Sequence, residues 1–336
     1  QAISLMRFIR TIVLSTSLGG ASAFLPTHSA SRSAAGATSL HITPTPVDDV
    51  VILSDADAVG ASVREIVKDA AARAISERGH FALAIPGGSI LKMLAGEDMD
   101  EGWTSKTTIA YVNHKCVPMD DINLATHAKA HKLFLDTWVG AEAIVMEGTN
   151  DGDAEAKSYE IKLRALSEGA LPRCTDTGLP VFDLALIGVG DDGHVGSLYP
   201  NREEVLADAD GPWVLSVAMK DPPSITLSLP VMANARQVVV AACGVSEKYP
   251  QGKSDGMRRA VTAEDETLTT FPAVGLRGSA TWIMDEAAGA MLGGTVSAAE
   301  FWEPFGSQVL KNMPGSRVMV TSSEDKWIST ALLGDG

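Results

Sequence analysis

Cysteine, aromatic residues and basic charge are all scarce in this chain. The three cysteines, Cys116, Cys174 and Cys243, are odd in number and widely spaced. That argues against a disulfide framework or a zinc ribbon and for reduced thiols in a reducing compartment. Cys243, in the run VVVAAC, reads as a core residue. Aromatics make up 5 % and charged residues 21 % of the composition, an ordinary balance for a soluble globular protein. With 336 residues and 45 % hydrophobic content, the chain can bury one large core or two small ones. Lysine and arginine total 27 against 42 acidic residues, a net charge of −15. Such a chain repels nucleic acid and anionic membrane surfaces, so neither is expected as a partner. An anionic small molecule is still allowed, because a local cluster of Lys, Arg and N–H groups can hold one.

The first forty residues lack acidic side chains altogether. Arg7 and Arg10 precede a modest apolar run at 11–20, and Ala21-Ser22-Ala23 stands before Phe24. A basic start, an apolar middle and small residues at a cut site make a signal-peptide arrangement. The run is too short to span a bilayer. The segment after Phe24 is rich in Ser, Ala and Thr, with Arg32 and no acid before Asp48, which is transit-peptide composition. The Ala-Ser-Ala-Phe junction resembles the bipartite leader of proteins imported into plastids of secondary, red-algal origin. Residues 1–46 are therefore expected to be a leader, removed or disordered, that delivers the chain to a plastid stroma. Secretion and a cytoplasmic location are the alternatives. Met6 reads as the true start, with residues 1–5 an upstream extension.

From Val47 the pattern alternates between short apolar runs and helical spacing. Runs at 50–53, 81–85, 107–112 and 182–187 read as strands, with later candidates at 213–218, 224–229, 237–243 and 281–284. Val59, Val63, Ile66, Val67, Ala70, Ala74 and Ile75 repeat at helical spacing, and Gly79 closes that helix. Further helices are expected at 90–94, 124–135 and 154–166. Strands alternating with helices imply parallel βαβ units, hence an α/β fold with a doubly wound, mostly parallel sheet flanked by helices. Residues 47–290 are expected to form this domain. Residues 291–336 are a C-terminal extension of unknown role, either one more helix and strand or an appendage.

The most telling stretch is 182–201, FDLALIGVGDDGHVGSLYPN. An apolar strand ends in Gly188, Gly190 and Gly193 interleaved with Asp191, Asp192 and His194. Ligands in open α/β sheets bind just beyond the carboxyl ends of strands, and glycines let the backbone approach a ligand closely. The competing reading is a capped turn with His194 a bystander. Pro86-Gly87-Gly88-Ser89 sits at a second strand end and can offer N–H groups and a hydroxyl to an anion, or simply be a turn with Ser89 as N-cap. It lacks the Lys-[Ser/Thr] pair of a Walker loop and is not a GxGxxG loop, so a single phosphate suits it better than a nucleotide. Asn113-His114-Lys115-Cys116-Val117-Pro118 follows the third strand. There Lys115 could meet an anion and His114 could act as acid or base, unless the stretch is a solvated turn. His127 and His131 have metal-ligand spacing, but HAKAH lacks the Glu of the zinc-protease motif and no third ligand is obvious. No metal is expected. No Gly-x-Ser-x-Gly elbow stands at a strand end, which argues against covalent acyl catalysis.

On these residues the chain resembles the 6-phosphogluconolactonases, within the larger glucosamine-6-phosphate isomerase/lactonase group. GVGDDGHVGSLYPN looks like the GxGxDGHxASLFP motif of that family, and IPGGSILKML is similar to its SGGSTPKxL phosphate loop. PPSITLSLPVMANARQVVVAACGVSEK resembles its PxxRITLTxPxLxxAxxVxFLVxGxxK stretch, and FPAV with TWIMDEAA its closing element. The likeness runs from about Val47 to Ala290. It implies His194 as catalytic histidine and Asp192 as its acid. It implies Gly87, Gly88 and Ser89 as the loop holding the sugar phosphate, with Lys248 near that phosphate; Arg202, one residue past the YPN end, could also reach it, and Lys115 could meet the anionic substrate. Asn113-His114-Lys115 departs from the family's Asp-Glu-Arg. Lys115 keeps the charge but not the planar fork, and the missing acids put the sugar-hydroxyl contacts in question. Ile90 and Leu91 replace Thr and Pro of the phosphate loop, which removes a hydroxyl.

The implied activity is hydrolysis of a phosphorylated sugar δ-lactone in the oxidative pentose phosphate pathway, without metal or cofactor. His194 would take a proton from water and return it to the leaving ring oxygen. The alternatives are an amino-sugar-phosphate isomerase/deaminase and a non-catalytic sugar-phosphate-binding paralogue. The only partner implied is the small phosphorylated sugar lactone, with the mature chain off the membrane and a monomer or weak homo-oligomer.

Overall fold

Alternating apolar runs and helical stretches build the sheet in the computed structural model, which describes residues 49–96, 102–244, 252–292, 317–320 and 329–332. All of these fall in the unit from Ile42 to Gly336. The first elements in chain order are β1 (Asp49–Leu53), α1 (Ala56–Arg78), β2 (Phe81–Ile85), α2 (Ser89–Met93), β3 (Thr107–Tyr111) and β4 (Asn113–Lys115). Next come α3 (Thr126–Ala130), β5 (Glu142–Ala143), α4 (Gly152–Ala165), β6 (Leu184–Ile187), β7 (Val214–Val217) and β8 (Ser224–Leu227). They are followed by α5 (Leu229–Ala233), β9 (Val238–Ala242), α6 (Ser254–Thr262), β10 (Ala280–Asp285) and α7 (Glu286–Gly289). Two last strands, β11 (Arg317–Val320) and β12 (Ser329–Leu332), lie within the C-terminal extension.

Nine strands form one sheet in the order β12-β11-β1-β10-β9-β6-β2-β3-β5. The strands from β1 to β5 in that order pair parallel, and β11 and β12 add an antiparallel edge beside β1. The expected α/β fold with a mostly parallel sheet is therefore present. Strands covered on both faces should be apolar throughout, and β2 (FALAI) and β9 (VVVAA) are buried along their whole length. Helix α1 starts at Asp55, whose carboxylate accepts the Ala58 N–H at 2.8 Å, and stops at Gly79 with φ 81°. Its buried residues Val59, Val63, Val67, Ala70 and Ala74 fall on the one face that the spacing predicts.

The strand order contains a reversal. From β2 the chain steps outward through β3 to β5, then returns to β6 on the other side of β2 and steps the opposite way through β9 to β10. Right-handed crossovers put the helices of the two halves on opposite faces. The switch point lies between β2 and β6, and the crevice beyond their carboxyl ends is where such sheets bind ligands.

Two readings are refined by the structure. The runs at 213–218 and 224–229 are strands, but they form a hairpin, β7 with β8, because their connection is too short for a parallel crossover. This pair takes up β4 as a third antiparallel strand, Lys115 opposite Ser224. The stretch Asn113–Lys115 is thus a strand, not a solvated turn. The helix expected at 124–135 begins at Thr126, and from His131 to Leu135 it widens into a π-helical turn. Among the described residues no helix is long and apolar enough to cross a membrane.

The junction of β2 and β6 is held by a buried charge. Asp183, just before β6 and 4 % exposed, accepts the Ala82 N–H at 2.7 Å and a bidentate pair of bonds from Arg78. Arg236 adds a contact at 3.4 Å. Removing one partner of a buried pair strands the other, at a cost of about 3–5 kcal/mol. Asp183→Ala should therefore lower the unfolding free energy by about that amount, read as a shift in the urea midpoint at unchanged m-value.

Candidate active site

His194 stands in the turn that leaves β6, and the turn is built around its ring. The Gly190 N–H donates to the His194 carbonyl at 2.9 Å and the Gly193 N–H to the Gly190 carbonyl at 3.1 Å, which closes the loop. A side chain on Gly190 would put its Cβ 2.1 Å from His194 Nδ1, so the imidazole lies directly on the glycine backbone. Gly193 has φ 83°, and its Cα faces the Phe271 ring so closely that a Cβ would sit 2.4 Å away. The segment carrying Phe271 also clamps the loop, with the Ala273 N–H on the Gly193 carbonyl at 2.9 Å and the Asn201 N–H on the Thr269 carbonyl at 2.7 Å. The glycines are therefore required by crowding as well as by turn geometry.

The imidazole has a defined orientation. Its Nδ1 meets Asp192 Oδ1 at 2.5 Å, and the same oxygen accepts the His194 N–H at 3.1 Å. Because Asp192 is a carboxylate, Nδ1 carries the proton and Nε2 is left as the basic nitrogen. Among the described residues Nε2 has no protein partner. Partial burial pulls the Asp192 carboxyl up. The hydrogen bond from the His194 ring, that ring's charge and the His194 N–H outweigh it and hold Asp192 down at about 2. Beside the imidazole lies Tyr199, ring centroids 4.8 Å apart and tilted 35°. Lys220, on the loop between β7 and β8, reaches the Tyr199 hydroxyl at 3.2 Å and lies 4.7 Å from its ring centroid. Carboxylate, glycine and tyrosine thus confine the ring, and the cation of Lys220 stands close by.

The Gly87–Ser89 loop emerges next door, at the end of β2. Gly88, with φ 84°, is the N-cap of α2 and has no side chain to cap with, so the amides of the first turn stay open. Ser89 is the first helical residue, not the cap. Gly88 and Ser89 are exposed, while Ile90 and Leu91 are buried. Ile90 is packed toward Gly188 at the base of the histidine loop. The apolar residues that replace a hydroxyl here therefore serve the core.

Strand β4 lies between the two loops. The Asn113 side chain accepts the Gly87 N–H at 3.4 Å and donates to Ser197 Oγ at 3.2 Å. Side chains alternate along a strand, so Lys115 shares the face of Asn113, and His114 points into the protein. His114 is 1 % exposed, with Nδ1 on the Lys115 carbonyl at 2.7 Å and Nε2 accepting the His127 N–H at 3.1 Å. Both ring nitrogens are occupied, and burial pushes its protonation downward. His114 is structural, not an acid or base.

His127 and His131 stand edge to face at 4.5 Å, but each is turned to its own partner. His127 Nδ1 meets the Tyr111 hydroxyl at 2.7 Å, and His131 Nδ1 meets Asp136 at 2.7 Å. Burial, then the neighbouring His131 and His114, push His127 down to about 4. Among the described residues no cluster of His, Cys, Asp or Glu is gathered to hold a metal ion.

The structure thus brings His194, Asp192, Gly87, Gly88, Ser89 and Lys115 to one end of β2, β4 and β6. Arg202 is bound to Glu204, Nε to Oε2 at 3.0 Å, and among the described residues it has no partner in either loop. Lys248 lies outside the described residues. Sequence reasoning missed Tyr199, Lys220 and the bridging role of Asn113. Lys253, at the start of α6, was also missed; its Nζ donates to the Val189 carbonyl under the histidine loop at 2.8 Å. Lys220, Lys253 and Asn113 are distant in sequence from the motif they serve, so no local spacing marks them; Tyr199 lies within the histidine motif, but its spacing does not show that it packs on the ring.

A doubly wound sheet with an open-amide glycine loop beside a carboxylate-held histidine at its switch point is the arrangement of an α/β enzyme acting on a small molecule. The family model for "Glucosamine-6-phosphate isomerases/6-phosphogluconolactonase" matches residues 54–283, and the chain belongs to that family. A 6-phosphogluconolactonase of Rattus norvegicus is 29 % identical over 261 residues, covering 72 % of this chain and 93 % of the rat protein. A probable chloroplastic 6-phosphogluconolactonase of Oryza sativa subsp. indica is 27 % identical over 263 residues, 73 % of this chain and 76 % of its own. The crystal structure of 6-phosphogluconolactonase from Leishmania guyanensis superposes with a TM-score of 0.59 at 24 % identity, over 74 % of this chain and all of that one. The last likeness bears on the fold.

The Asp192–His194 pair has a consequence for acid stability. A carboxyl held below its ordinary value near 3.8 stabilises the folded state fully above that value and loses the contribution as pH falls through about 2. The stability difference between wild type and Asp192→Asn should accordingly shrink steadily as pH falls below about 4, followed by urea unfolding at a series of acid pH values.

Proposed function

We propose that the chain hydrolyses 6-phospho-D-glucono-1,5-lactone to 6-phosphogluconate. The observation that carries this reading is His194 with Nδ1 bound to Asp192 and Nε2 unpartnered among the described residues, one strand away from the Gly87–Ser89 loop. Opening the lactone needs a water deprotonated, an oxyanion tolerated and a ring oxygen protonated as it leaves. Nε2 takes the proton from water as the oxygen attacks the carbonyl, and the imidazolium is stabilised by Asp192. The same proton then goes to the ring oxygen as the C–O bond breaks, restoring neutral His194. Acid–base help of this kind is worth about 10²–10⁴-fold. A lactone is reactive enough that the scheme calls on no metal, cofactor or covalent intermediate.

Gly87, Gly88 and Ser89, with Lys115 and Lys248, hold the phosphate, and binding energy gained there fixes the geometry at the carbonyl. Arg202 joins them only by leaving Glu204. The isomerase/deaminase alternative needs a group to move a proton at C2. Asn113 and Lys115 supply no carboxylate, and both nitrogens of His114 are engaged, which favours the lactonase. Residues 1–46 act as a leader into a plastid stroma, a reading supported by their composition and by the chloroplastic rice relative. The mature domain, 47–290 with its extension 291–336, works as a monomer or weak homo-oligomer.

Purified protein should accelerate 6-phosphogluconolactone hydrolysis above its spontaneous rate. His194→Ala should abolish the acceleration yet still bind 6-phosphogluconate. Gly190→Ala, which displaces the ring, should cost about 100-fold in kcat. Binding without acceleration in the wild type would select the non-catalytic reading, and turnover of glucosamine 6-phosphate the isomerase. Residues 1–46 fused to a fluorescent protein should accumulate in the stroma; export or a cytosolic signal would overturn that assignment.

A further inference from the structure

The two loops of the site leave the sheet on different strands, and a single side chain links them by hydrogen bonds. The Gly87 N–H can only donate, so the Asn113 carbonyl oxygen faces it and the amide nitrogen faces Ser197. Ser197 is 2 % exposed and lies on the histidine loop just beyond His194. Its N–H donates to Thr226 Oγ1 at 3.2 Å. Thr226, fully buried, has its one hydroxyl proton within reach of the Val112 and Leu227 carbonyls, at 3.3 and 3.1 Å. Val112 is the residue before Asn113, and its N–H is fixed on the Ile85 carbonyl at 2.8 Å, just before the glycine loop. The hydrogen bonds thus form a closed circuit through Asn113, Ser197, Thr226 and the end of β3. The circuit is tightly packed at Gly196, where a Cβ would sit 2.6 Å from Thr226 Oγ1. A displacement of the Gly87 peptide therefore reaches the histidine loop through the Asn113 amide.

We propose that Asn113 is a positioning residue that couples occupancy of the Gly87–Ser89 loop by the substrate's phosphate to the seating of His194. The inference rests on the lactonase reading and adds to it that the phosphate acts on kcat as well as on KM. A substrate lacking phosphate places no anion on the Gly87 peptide, so nothing is passed through the Asn113 amide to the histidine loop. Remote binding energy expressed in this way appears in kcat when the remote group is removed. The amide also fixes polarity. As donor to Ser197 it leaves the serine proton free, whereas a carboxylate at 113 would accept from Gly87 and Ser197 alike.

The test compares full-length wild type, Asn113→Ala, Asn113→Asp, Ser197→Ala and the Asn113→Ala/Ser197→Ala double variant on 6-phosphogluconolactone and on unphosphorylated gluconolactone. Coupling free energies between sites typically correspond to about 5–150-fold. Asn113→Ala should lower kcat on the phosphorylated lactone by about 10-fold and leave gluconolactone nearly untouched. Ser197→Ala should match it, the double variant should be no worse than either single, and Asn113→Asp should recover most of the loss. Equal losses on both substrates, additive losses in the double variant or an effect on KM alone would overturn the proposal. Should Asn113→Ala not fold, Ser197→Ala and Asn113→Asp carry the same comparison. An NMR titration separates this failure from failure of the lactonase reading. Inorganic phosphate should move the His194 ring signals in wild type and not in Asn113→Ala, whatever lactone is turned over. No response in wild type refutes the coupling even if the enzyme is a lactonase.

Discussion

Strands β2 and β6 are far apart in the chain, yet Leu83 lies opposite Leu184 and Ala84 opposite Ala185. That pairing brings the glycine loop and the histidine loop out of the sheet side by side. It is secured where the strands begin, by Asp183 between Arg78 and the Ala82 N–H, and the chemistry lies where they end. The buried charge and the site are two ends of one pair of strands. A carboxylate in a dry interior is unfavourable unless its hydrogen bonds are filled, so the register at that end is specified tightly. Any slip of β6 against β2 would move His194 relative to Gly87 and leave Asp183 unsatisfied.

Around the site, a chain of net charge −15 gathers several lysines. Lys220 stands by Tyr199, Lys253 is fixed on the Val189 carbonyl, and Lys115 lies on the face of Asn113. Among the described residues the one carboxylate in contact with the imidazole, Asp192, is spent on Nδ1 and on the loop's own N–H. It orients the imidazole and leaves Nε2 on the open side. A small anionic substrate thus meets a neighbourhood unlike the average surface, which repels nucleic acid and anionic membranes.

The Asn113-His114-Lys115 stretch acquires distinct roles once it is seen as a strand. His114 turns inward and secures α3 through the His127 N–H, while Asn113 and Lys115 face the site. Asn113 is an acceptor toward one loop and a donor toward the other. The departure from the family's acidic pattern replaces charge with a bridge of fixed polarity, and the charge left on this strand is the lysine.

Much of the fold and half of the site were legible in the sequence. The short apolar runs, the helix closed by Gly79 and the glycines around His194 are local signals, because strand period, cap geometry and turn conformation depend on neighbouring residues. The pairing of Asp192 with His194 follows from their spacing within one turn. Adjacency between distant segments was not legible. The hairpin of β7 and β8 recruiting β4, Lys220 against Tyr199, Phe271 filling the space beside Gly193 and Asn113 spanning two loops all join residues remote in the chain. Strand order and crossover handedness bring them together, and no local periodicity encodes either. The sequence by itself determined an α/β chain with a histidine on a glycine-walled turn. Only the tertiary structure decided which loop stands beside that histidine and through which amide they meet, because both depend on β2 and β6 becoming neighbours in the sheet.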